Sequence, residues 1–580
     1  MHNDIIRPIQ KEDVMAESKM SDRWMRPPVM GRRAFVGGAL AASTLAFLAA
    51  CGKKGGDSSS EGGSGGTLKF YINNPVSIDP YNCQETQGAQ VCHQLFDQLT
   101  KFDFDKNKLV GLAAESWDVN DDATEFTFHL VKGATFHNGD KVTSKDFKRG
   151  WERMVNPKSE IAKAYSPGEI SYHLSLVEGY DDLSAGKATE LSGLSCPDDN
   201  TFVVKLTTAY ADFPYVCAHP GLSPVPEAAE KDAKNFFLAP IGNGPFQMDG
   251  KWEDGQQIQL KRYDKYYGTK AKLDSIVFSI QKDMETAYKE FQAGNLDICE
   301  VPPAQLESAI KDRKESKDGY NMDSEHHMLT GAQVATYFLV CNNKSEPFNN
   351  KDLRIGVSYA INREAIVKTL FKGIRQPAGG VIPPGIKGYR KGAWKHCTYD
   401  VDKAKEHLDK VAPAGADGSR GINLTLTYNQ DGGHKEIMES VIGDLEKVGI
   451  KVTSDTPEWS AALDQYHAGK FQFGRSGWTA DYPIMDNFLY PLFDSASIGG
   501  DNFCSYSNPE VDKAIAEARA TVDDDERIKK LQAVEDIIAE DMPLIPLMYY
   551  ANDYAGSDRV RAFYMNPQVL SDMYKAEVSA

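Results

Sequence analysis

The stretch INLTLTYNQDGGHKEIMESVIGDLEKVGIKV, residues 422–452, contains one complete unit of secondary structure. Its first seven residues are rich in β-branched and apolar side chains, which predicts a strand. Apolar residues then recur at Ile437, Val441, Leu445 and Val448, and Gly449 follows, which predicts an amphipathic helix over 434–448 and its end. A second short strand, IKV, comes directly after. This order predicts two parallel strands joined by a right-handed crossover, and therefore an α/β fold.

The same strand pattern recurs along the whole chain, at 67–73, 125–131, 202–206 and 275–280. Helix starts are indicated by Asn508 with Pro509 and by Thr143 with Asp146 three residues later. At 580 residues, the length suits about three to five domains. The pattern therefore predicts several interleaved α/β domains.

The overall charge limits the classes of partner. The formal net charge is −18, and a protein that binds a phosphate backbone needs a basic surface to release counterions. We therefore expect no nucleic-acid partner.

Residues 1–50 are predicted to be an export signal. Arg32 and Arg33 precede 17 uncharged residues, 34–50, which end in small side chains before Cys51. The twin arginine resembles a Tat signal, and LAAC resembles the lipobox that makes Cys51 a lipid-carrying N-terminus. Residues 51–66 then form a Gly/Ser-rich tether with a reach of about 20 Å. The alternative is an uncleaved anchor helix.

Eight cysteines remain when Cys51 is set aside: Cys83, Cys92, Cys196, Cys217, Cys299, Cys341, Cys397 and Cys504. An even number of cysteines in an exported chain predicts at least one disulfide, although spacing does not give the connectivity. For Cys299 and Cys341, which lie in apolar runs, the alternative is a buried free thiol.

No catalytic or metal-binding motif is present, so we expect neither enzymatic activity nor a cofactor or metal. The most distinctive segment is FGRSGWTADY, residues 473–482. It places Arg475, Trp478, Asp481 and Tyr482 close together along the chain, and a cation, an aromatic ring and an anion can together bind a zwitterion. The alternative is a surface loop with solvated charges.

Six blocks of sequence together resemble one known family. They are SIDPYN at 77–82, AESW at 114–117, FTFHLVKGATFHNGDKVTSKDF at 126–147, PIGNGPF at 240–246, EPFNNKDLRIGVSYAINRE at 346–364 and GWTADY at 477–482. From about residue 67 onward, the chain resembles the oligopeptide-binding proteins of bacterial ABC importers, in the solute-binding family that includes dipeptide and nickel receptors. The resemblance implies a membrane-anchored, extracytoplasmic, monomeric protein that captures oligopeptides and delivers them to an ABC permease.

The family fold is α/β, two-lobed and periplasmic-binding-protein-like, with an extra inserted domain and a hinge between the lobes. Carried over to this chain, it implies domain I at 67–100, 195–334 and 545–580. Domain II, the insertion, is expected at 101–194 and domain III at 335–544.

The resemblance also implies ligand contacts. In peptide-binding members, the aspartate matching Asp481 pairs with the α-amine of the ligand, and the arginine matching Arg475 meets its carboxylate. The remaining residues assigned to the same pocket are Trp478, Trp459, His434, Tyr550 and Tyr482.

The chain departs from the family pattern at four positions. Tyr466 stands where a second arginine is found, and Val340 replaces an acidic residue. A disulfide of a relative is lost, because Ala335 and Thr479 occupy its two positions. These departures leave open a non-peptide ligand on the same scaffold, such as an oligosaccharide or a metal chelate.

The lipobox gives a direct prediction. The Cys51→Ala substitution removes the only thiol near the cleavage site that could carry a lipid. We expect the variant to lose metabolic lipid labelling and to be released into the medium. Processing of the unmodified protein that is insensitive to globomycin would contradict the prediction.

Overall fold

The computed structural model describes residues 65–430 and 432–579. The export signal, Cys51 and almost all of the tether lie outside these residues. Within the described part of the chain, no helix is long and apolar enough to cross a bilayer.

The strands of the described residues form five sheets. In chain order they are β1 Thr67–Ile72, β2 Thr100–Asp103, β3 Lys108–Gly111, β4 Ala114–Val119, β5 Glu125–Leu130, β6 Leu194–Asp198, β7 Thr201–Lys205, β8 Phe246–Met248, β9 Gln257–Arg262, β10 Ser275–Ile280, β11 Ile298–Glu300, β12 Asn321–Met322, β13 Met328–Leu329, β14 Ala332–Cys341, β15 Gln376–Pro377, β16 Asn423–Thr427, β17 Lys451–Asp455, β18 Phe473–Thr479, β19 Leu544–Ala551, β20 Tyr554–Gly556, β21 Val560–Tyr564 and β22 Glu577–Val578.

Helices alternate with these strands along most of the chain. The α-helices are Thr86–Leu95, Ser144–Val155, Glu160–Ala164, Tyr180–Ser184, Phe213–Val216, Ala228–Lys231, Ala233–Leu238, Met284–Gln292, Leu306–Arg313, Lys351–Ala360, Arg363–Phe371, Val401–Val411, Lys435–Glu446, Trp459–His467, Asp486–Phe493, Pro509–Arg519 and Asp524–Asp541. The 3-10 turns are Pro80–Asn82, Ser171–Leu174, Pro220–Leu222, Pro303–Gln305, Ser495–Ser497 and Met573–Lys575.

The first lobe is built on a seven-stranded sheet with the order β13-β20-β11-β1-β10-β9-β8. Its central strand, β1, pairs in parallel with β10 and β11, and β10 pairs antiparallel with β9. Alternate residues of β10 are buried, as a strand with one face on a core requires.

The second lobe is built on a six-stranded sheet with the order β15-β19-β14-β18-β16-β17. The parallel pair predicted from residues 422–452 is confirmed as β16 and β17, joined through the helix Lys435–Glu446. The strand β14 lies between β18 and β19, and nine of its ten residues are buried. Its long apolar run is therefore explained by neighbours on both edges and both faces.

The predicted helix starts are also confirmed. The Asn508 side chain accepts a hydrogen bond from the backbone N–H of Glu510 at 3.0 Å, one position after Pro509. At Thr143, the backbone N–H donates to the Asp146 carboxylate at 2.7 Å, as a capping box requires.

A third unit contains a four-stranded sheet with the order β4-β5-β7-β6 and its own core. The division of the chain into domains I, II and III stays a proposal. Because β7 pairs with both β5 and β6, a boundary at residues 194/195 would divide this sheet. We therefore propose that domain II extends past residue 205.

The two lobes are joined by two neighbouring crossings of the chain, at residues 330–331 and 552–553, between β13 and β14 and between β19 and β20. The backbone N–H of Asn552 donates to the carbonyl of Gly331 at 2.7 Å, and Gln333 donates to the Asn552 side chain at 3.0 Å. Two short, adjacent connections of this kind are where a hinge would act.

The prediction of a disulfide is wrong for this structure. All eight cysteines of the described residues are free thiols, and all but Cys196 are buried. Most lie within the hydrophobic cores of the three units, where a thiol acts as a small apolar side chain. Cys83 and Cys92 lie close enough for a hydrogen bond between their thiols.

Thiol titration tests this arrangement. Unfolding the Cys51→Ala protein without a reductant should expose eight reactive thiols, one from each cysteine of the described residues. A count of six would contradict the structure, and peptide mapping would then show whether Cys83 and Cys92 are the bonded pair.

Candidate functional site

A cavity of about 230 Å³ lies between the two lobes. One buried water needs only roughly 10–15 Å³ measured in the same way, so the cavity has room for a molecule much larger than water. The first lobe contributes residues 83–87, Glu300 and Tyr554, and the second lobe contributes most of β18 and the residues that follow it.

The strand β18 carries the site because it is held on both edges, antiparallel to β14 and parallel to β16. Its glycines allow close packing of aromatic side chains. A Cβ atom on Gly477 would lie 2.8 Å from the Tyr550 hydroxyl, which is closer than real Cβ contacts. The small residues of FGRSGWTADY are therefore required by the groups that pack against the strand.

Asp481, just beyond the end of β18, lines the cavity. Its Oδ2 atom accepts a hydrogen bond from the Asn487 side-chain amide at 2.9 Å. The carbonyl oxygen of Asn487 accepts from the backbone N–H of Asp481 at 2.9 Å and from the Trp478 indole at 3.1 Å. Burial raises the pKa of Asp481 to about 7, although the Asn487 hydrogen bond opposes the shift. The site thus contains a largely buried carboxylate whose ionised form a cation would stabilise.

Arg475 is the cationic group of the same strand. Its guanidinium donates to Asn429 at 3.2 Å and to the Tyr550 hydroxyl at 2.9 Å. It lies over the rings of Tyr337 and Trp459, at 5.0 and 5.5 Å from their centroids. Its Nε atom is buried and has no hydrogen-bond partner among the residues that the structure describes. All of these partners are neutral, so the guanidinium is free to bind an anion.

His434 lies beside this guanidinium as a neutral group. Burial, with Arg475 and Arg375 nearby, holds the pKa of His434 well below its usual value. Its Nδ1 atom lies 3.3 Å from the Tyr337 hydroxyl. The ring can therefore bind a ligand without adding charge.

The structure brings together six of the seven predicted contacts. Lining the cavity are Asp481, Arg475, Trp478, Trp459, His434 and Tyr550. Tyr482 is the exception, because it is 1% exposed and packs in the core of the third unit. Side chains alternate along an extended chain, so the neighbour of a cavity-facing aspartate points away.

The structure accounts for two of the departures from the family pattern, the tyrosine at 466 and the lost disulfide. The Tyr466 hydroxyl donates to the carbonyl of Arg475 at 2.7 Å, so this side chain supports β18 and does not line the cavity. Ala335 and Thr479 are register partners on β14 and β18, which places them side by side as the positions of a lost disulfide should be.

His173, His219 and Asp481 have donor atoms within 4.8 Å of one another, close enough to suggest a metal site. The Nδ1 atom of His219, however, accepts a hydrogen bond from the backbone N–H of Gly221 at 2.9 Å. The neutral ring then carries its proton on Nε2, which faces Asp481 at 3.5 Å. The arrangement presents a proton to the carboxylate rather than a lone pair to a metal.

Sequence reasoning missed several groups of the site. Arg375 and Asp553 form an ion pair at 2.7 Å in the cavity wall, beside the crossing at 552–553. Glu300 and Asp501 also line the cavity, and Asn487 holds Asp481. These residues come from distant parts of the chain, so no local pattern joins them, and only the fold brings them together.

Three comparisons place this chain among known proteins. Residues 108–500 match the family model described as bacterial extracellular solute-binding proteins, family 5 Middle. Oligopeptide-binding protein OppA of Bacillus subtilis is 29% identical over 535 residues, covering 89% of this chain and 94% of the relative. Dipeptide-binding protein DppE of the same organism is 28% identical over 531 residues, covering 88% and 92%.

A solved structure agrees with this match. The crystal structure of Haemophilus influenzae OppA in complex with the peptide RPPGFSPFR superposes with a TM-score of 0.76 at 26% identity, covering 89% of this chain and 99% of that one. Because the family model spans more than half of the residues, the chain belongs to the bacterial extracellular solute-binding proteins of family 5.

Proposed function

We propose that this protein binds oligopeptides between its two lobes and delivers them to an ABC permease, with no catalytic step. The observation that carries the proposal is that Asp481 and Arg475 both line the cavity between the lobes. Peptides of different sequence share a backbone, an ammonium group and a carboxylate. A carboxylate and a guanidinium at two points of one strand match these shared charges.

The spacing of the two charges suits a short extended ligand. Six residues of extended chain separate Arg475 from Asp481, which corresponds to about 20 Å at 3.3 Å per residue. The side chains reach inward from both ends and shorten this distance. Between them lie residues 476–480, mostly small side chains. Because β16 pairs only with Phe473 and Gly474, one edge of β18 is unpaired from Arg475 onward and can accept a peptide as an added strand.

Closure of the lobes supplies the remaining binding free energy. The Asp501 carboxylate on the second lobe accepts hydrogen bonds from the Gln84 amide on the first lobe, at 2.8 Å, and from the Tyr172 hydroxyl of the third unit. We propose that these contacts hold the closed state and that the crossings at 330–331 and 552–553 act as the hinge. The closed lobes then form the surface that the permease recognises.

The proposal extends to the location and state of the protein. The lipobox at Cys51 supports lipid anchoring on the outer face of the cell membrane, with Tat export supported by Arg32 and Arg33. The protein then acts as a monomer tethered near its permease. The competing function is binding of an oligosaccharide or a metal chelate on the same scaffold, which has no ammonium group to match Asp481.

Removing Asp481 tests the ammonium contact. Truncating one partner of a buried charge pair costs about 2 to 5 kcal/mol, so Asp481→Ala should weaken peptide binding by roughly 30-fold to several thousand-fold. N-acetylation of the peptide should cause a similar loss on the unmodified protein. The two changes combined should be less than additive, because both remove one interaction.

Calorimetry measures the affinity of the unmodified protein and of Asp481→Ala for the free and for the acetylated peptide. The control variant is Asp464→Ala, because Asp464 is an exposed aspartate of the same lobe. Equal affinity of acetylated and free peptides for the unmodified protein would show that Asp481 does not bind the amine. The non-peptide alternative would then be favoured.

The pH dependence of binding gives a second test. Burial raises the pKa of Asp481 to about 7, and only the ionised carboxylate pairs with an ammonium group. Affinity should therefore fall by nearly tenfold from pH 7.5 to pH 6, as Asp481 takes up a proton. It should also fall above pH 8, where the ligand α-amine loses its proton. In the Asp481→Asn variant, the loss of affinity between pH 7.5 and pH 6 should disappear. An unchanged loss in that variant would contradict the assignment of the titrating group to Asp481.

A further inference from the structure

Acidic groups outnumber basic groups among the described residues of the cavity. Among the described residues, its walls contain five carboxyl groups, two guanidiniums and no lysine. The carboxylates belong to Glu85, Glu300, Asp481, Asp501 and Asp553, and the guanidiniums belong to Arg375 and Arg475. A zwitterionic peptide with neutral side chains would leave this imbalance in place.

One of the five carboxylates already has a cationic partner within the protein. Asp553 is neutralised by Arg375 at 2.7 Å. If Asp481 and Arg475 bind the two ends of a peptide, as the proposed function states, these two groups are also accounted for. Three carboxylates then remain, on Glu85, Asp501 and Glu300.

Two of the three have only neutral partners. Glu85 caps the helix Thr86–Leu95 and accepts backbone hydrogen bonds from Gly88 and Gln87, both at 2.8 Å. Asp501 accepts from Gln84 and Tyr172. Over the described residues, no lysine, arginine or histidine nitrogen lies within 4.0 Å of either carboxylate. Hydrogen bonds satisfy their oxygens but do not neutralise their charge.

Glu300 is the least satisfied of the three. It ends β11 and faces the cavity. Its carboxylate makes no hydrogen bond and no ion pair with any other described residue. Burial, with Asp553 nearby, raises the pKa of Glu300 to about 8. Arg375 and Arg475 favour its ionised form without offsetting the effect of burial, so a cation brought by a ligand would stabilise that form further.

The neighbours of these carboxylates indicate where in the cavity they act. Glu300 pairs across β11 and β20 with Tyr554, the residue after Asp553, and Asp553 binds Arg375 at 2.7 Å. Asp501 is the carboxyl group on which Asp481 acts electrostatically. Glu300 is thus near the end that binds the ligand carboxylate, and Asp501 is near the end that binds the ammonium group. The aromatic rings of Trp459, Trp478, Phe503 and Tyr550 also line the cavity, and such rings attract cationic side chains.

We infer that the cavity selects peptides with basic side chains, and that the unpaired carboxylate of Glu300 is the main contact for a lysine or arginine in the C-terminal part of the ligand. The inference rests on the proposed function for the two peptide ends. The inference goes beyond that function because it names the class of ligand side chain that the cavity selects. Arg375 and Arg475 do not oppose it, since Asp553 neutralises the first and the ligand carboxylate neutralises the second.

Host peptides of three to five alanines, each with one substituted position, provide the test. At every position in turn, lysine is compared with norleucine, which has a similar apolar stem without the charge, and with glutamate. Calorimetry should give at least about tenfold tighter binding for lysine than for norleucine at one or more C-terminal positions, and weaker binding for glutamate.

Substitution of the carboxylate then identifies the group responsible. Glu300→Gln keeps the shape of the side chain and should reduce the lysine-to-norleucine ratio of affinities by about tenfold. The control is Glu325→Gln, because Glu325 is an exposed glutamate outside the cavity, and it should leave the ratio unchanged. Circular dichroism and thermal unfolding confirm that both variants are folded.

The outcomes separate this inference from the proposed function. If no host peptide binds, the peptide-binding function fails and the inference fails with it. If alanine hosts bind but lysine and norleucine bind equally at every position, only the inference is overturned. A lysine preference that survives Glu300→Gln would overturn the role of Glu300.

Discussion

The cavity depends on one constraint, the partial burial of the Asp481 carboxylate, whose side chain is 20% exposed. A buried carboxylate without a countercharge is unfavourable, and the raised pKa of Asp481 reflects this. The surrounding residues hold the group in place without neutralising it. Asn487 donates to one oxygen and also accepts from the Trp478 indole, so one side chain positions both the aromatic ring and the carboxylate. A site built in this way is unsatisfied until a cation enters.

The fold supplies the rigidity that this arrangement needs. The strand β18 is held between β14 and β16, and β14 also pairs with β19, which leads into one of the two crossings between the lobes. Arg475 on β18 contacts Tyr550 on β19, so the anion-binding end of the cavity is connected to the same crossing. Ligand contacts and interlobe geometry are therefore linked through adjacent strands of one sheet. This connection offers a physical route from binding to closure.

Much of this could be predicted from sequence. The strand–helix–strand unit at 422–452 has a clear hydrophobic period, and the structure reproduces it as β16, the helix Lys435–Glu446 and β17. The segment 473–482 was informative because Arg475, Trp478 and Asp481 lie on one short run of chain. Tyr482 was misplaced because a motif does not reveal which face of an extended chain each residue occupies. Glu300, Arg375 and Asp501 could not be found, since they meet only through the packing of separate lobes.

The disulfide expectation failed for a related physical reason. An exported chain with eight cysteines permits bridges, but seven of the eight lie buried in the hydrophobic cores of the three units, where a thiol packs as a small apolar side chain. The number of cysteines therefore reflects the composition of the hydrophobic cores and not a set of disulfide bonds.

The central claim is that the two lobes enclose a peptide with a free amino terminus. Mass spectrometry of the small molecules released when the protein, purified from its native host, is denatured tests it most directly. The account predicts a mixture of short peptides with unblocked N-termini. Recovery of an oligosaccharide or a metal chelate, with no peptide present, would contradict it.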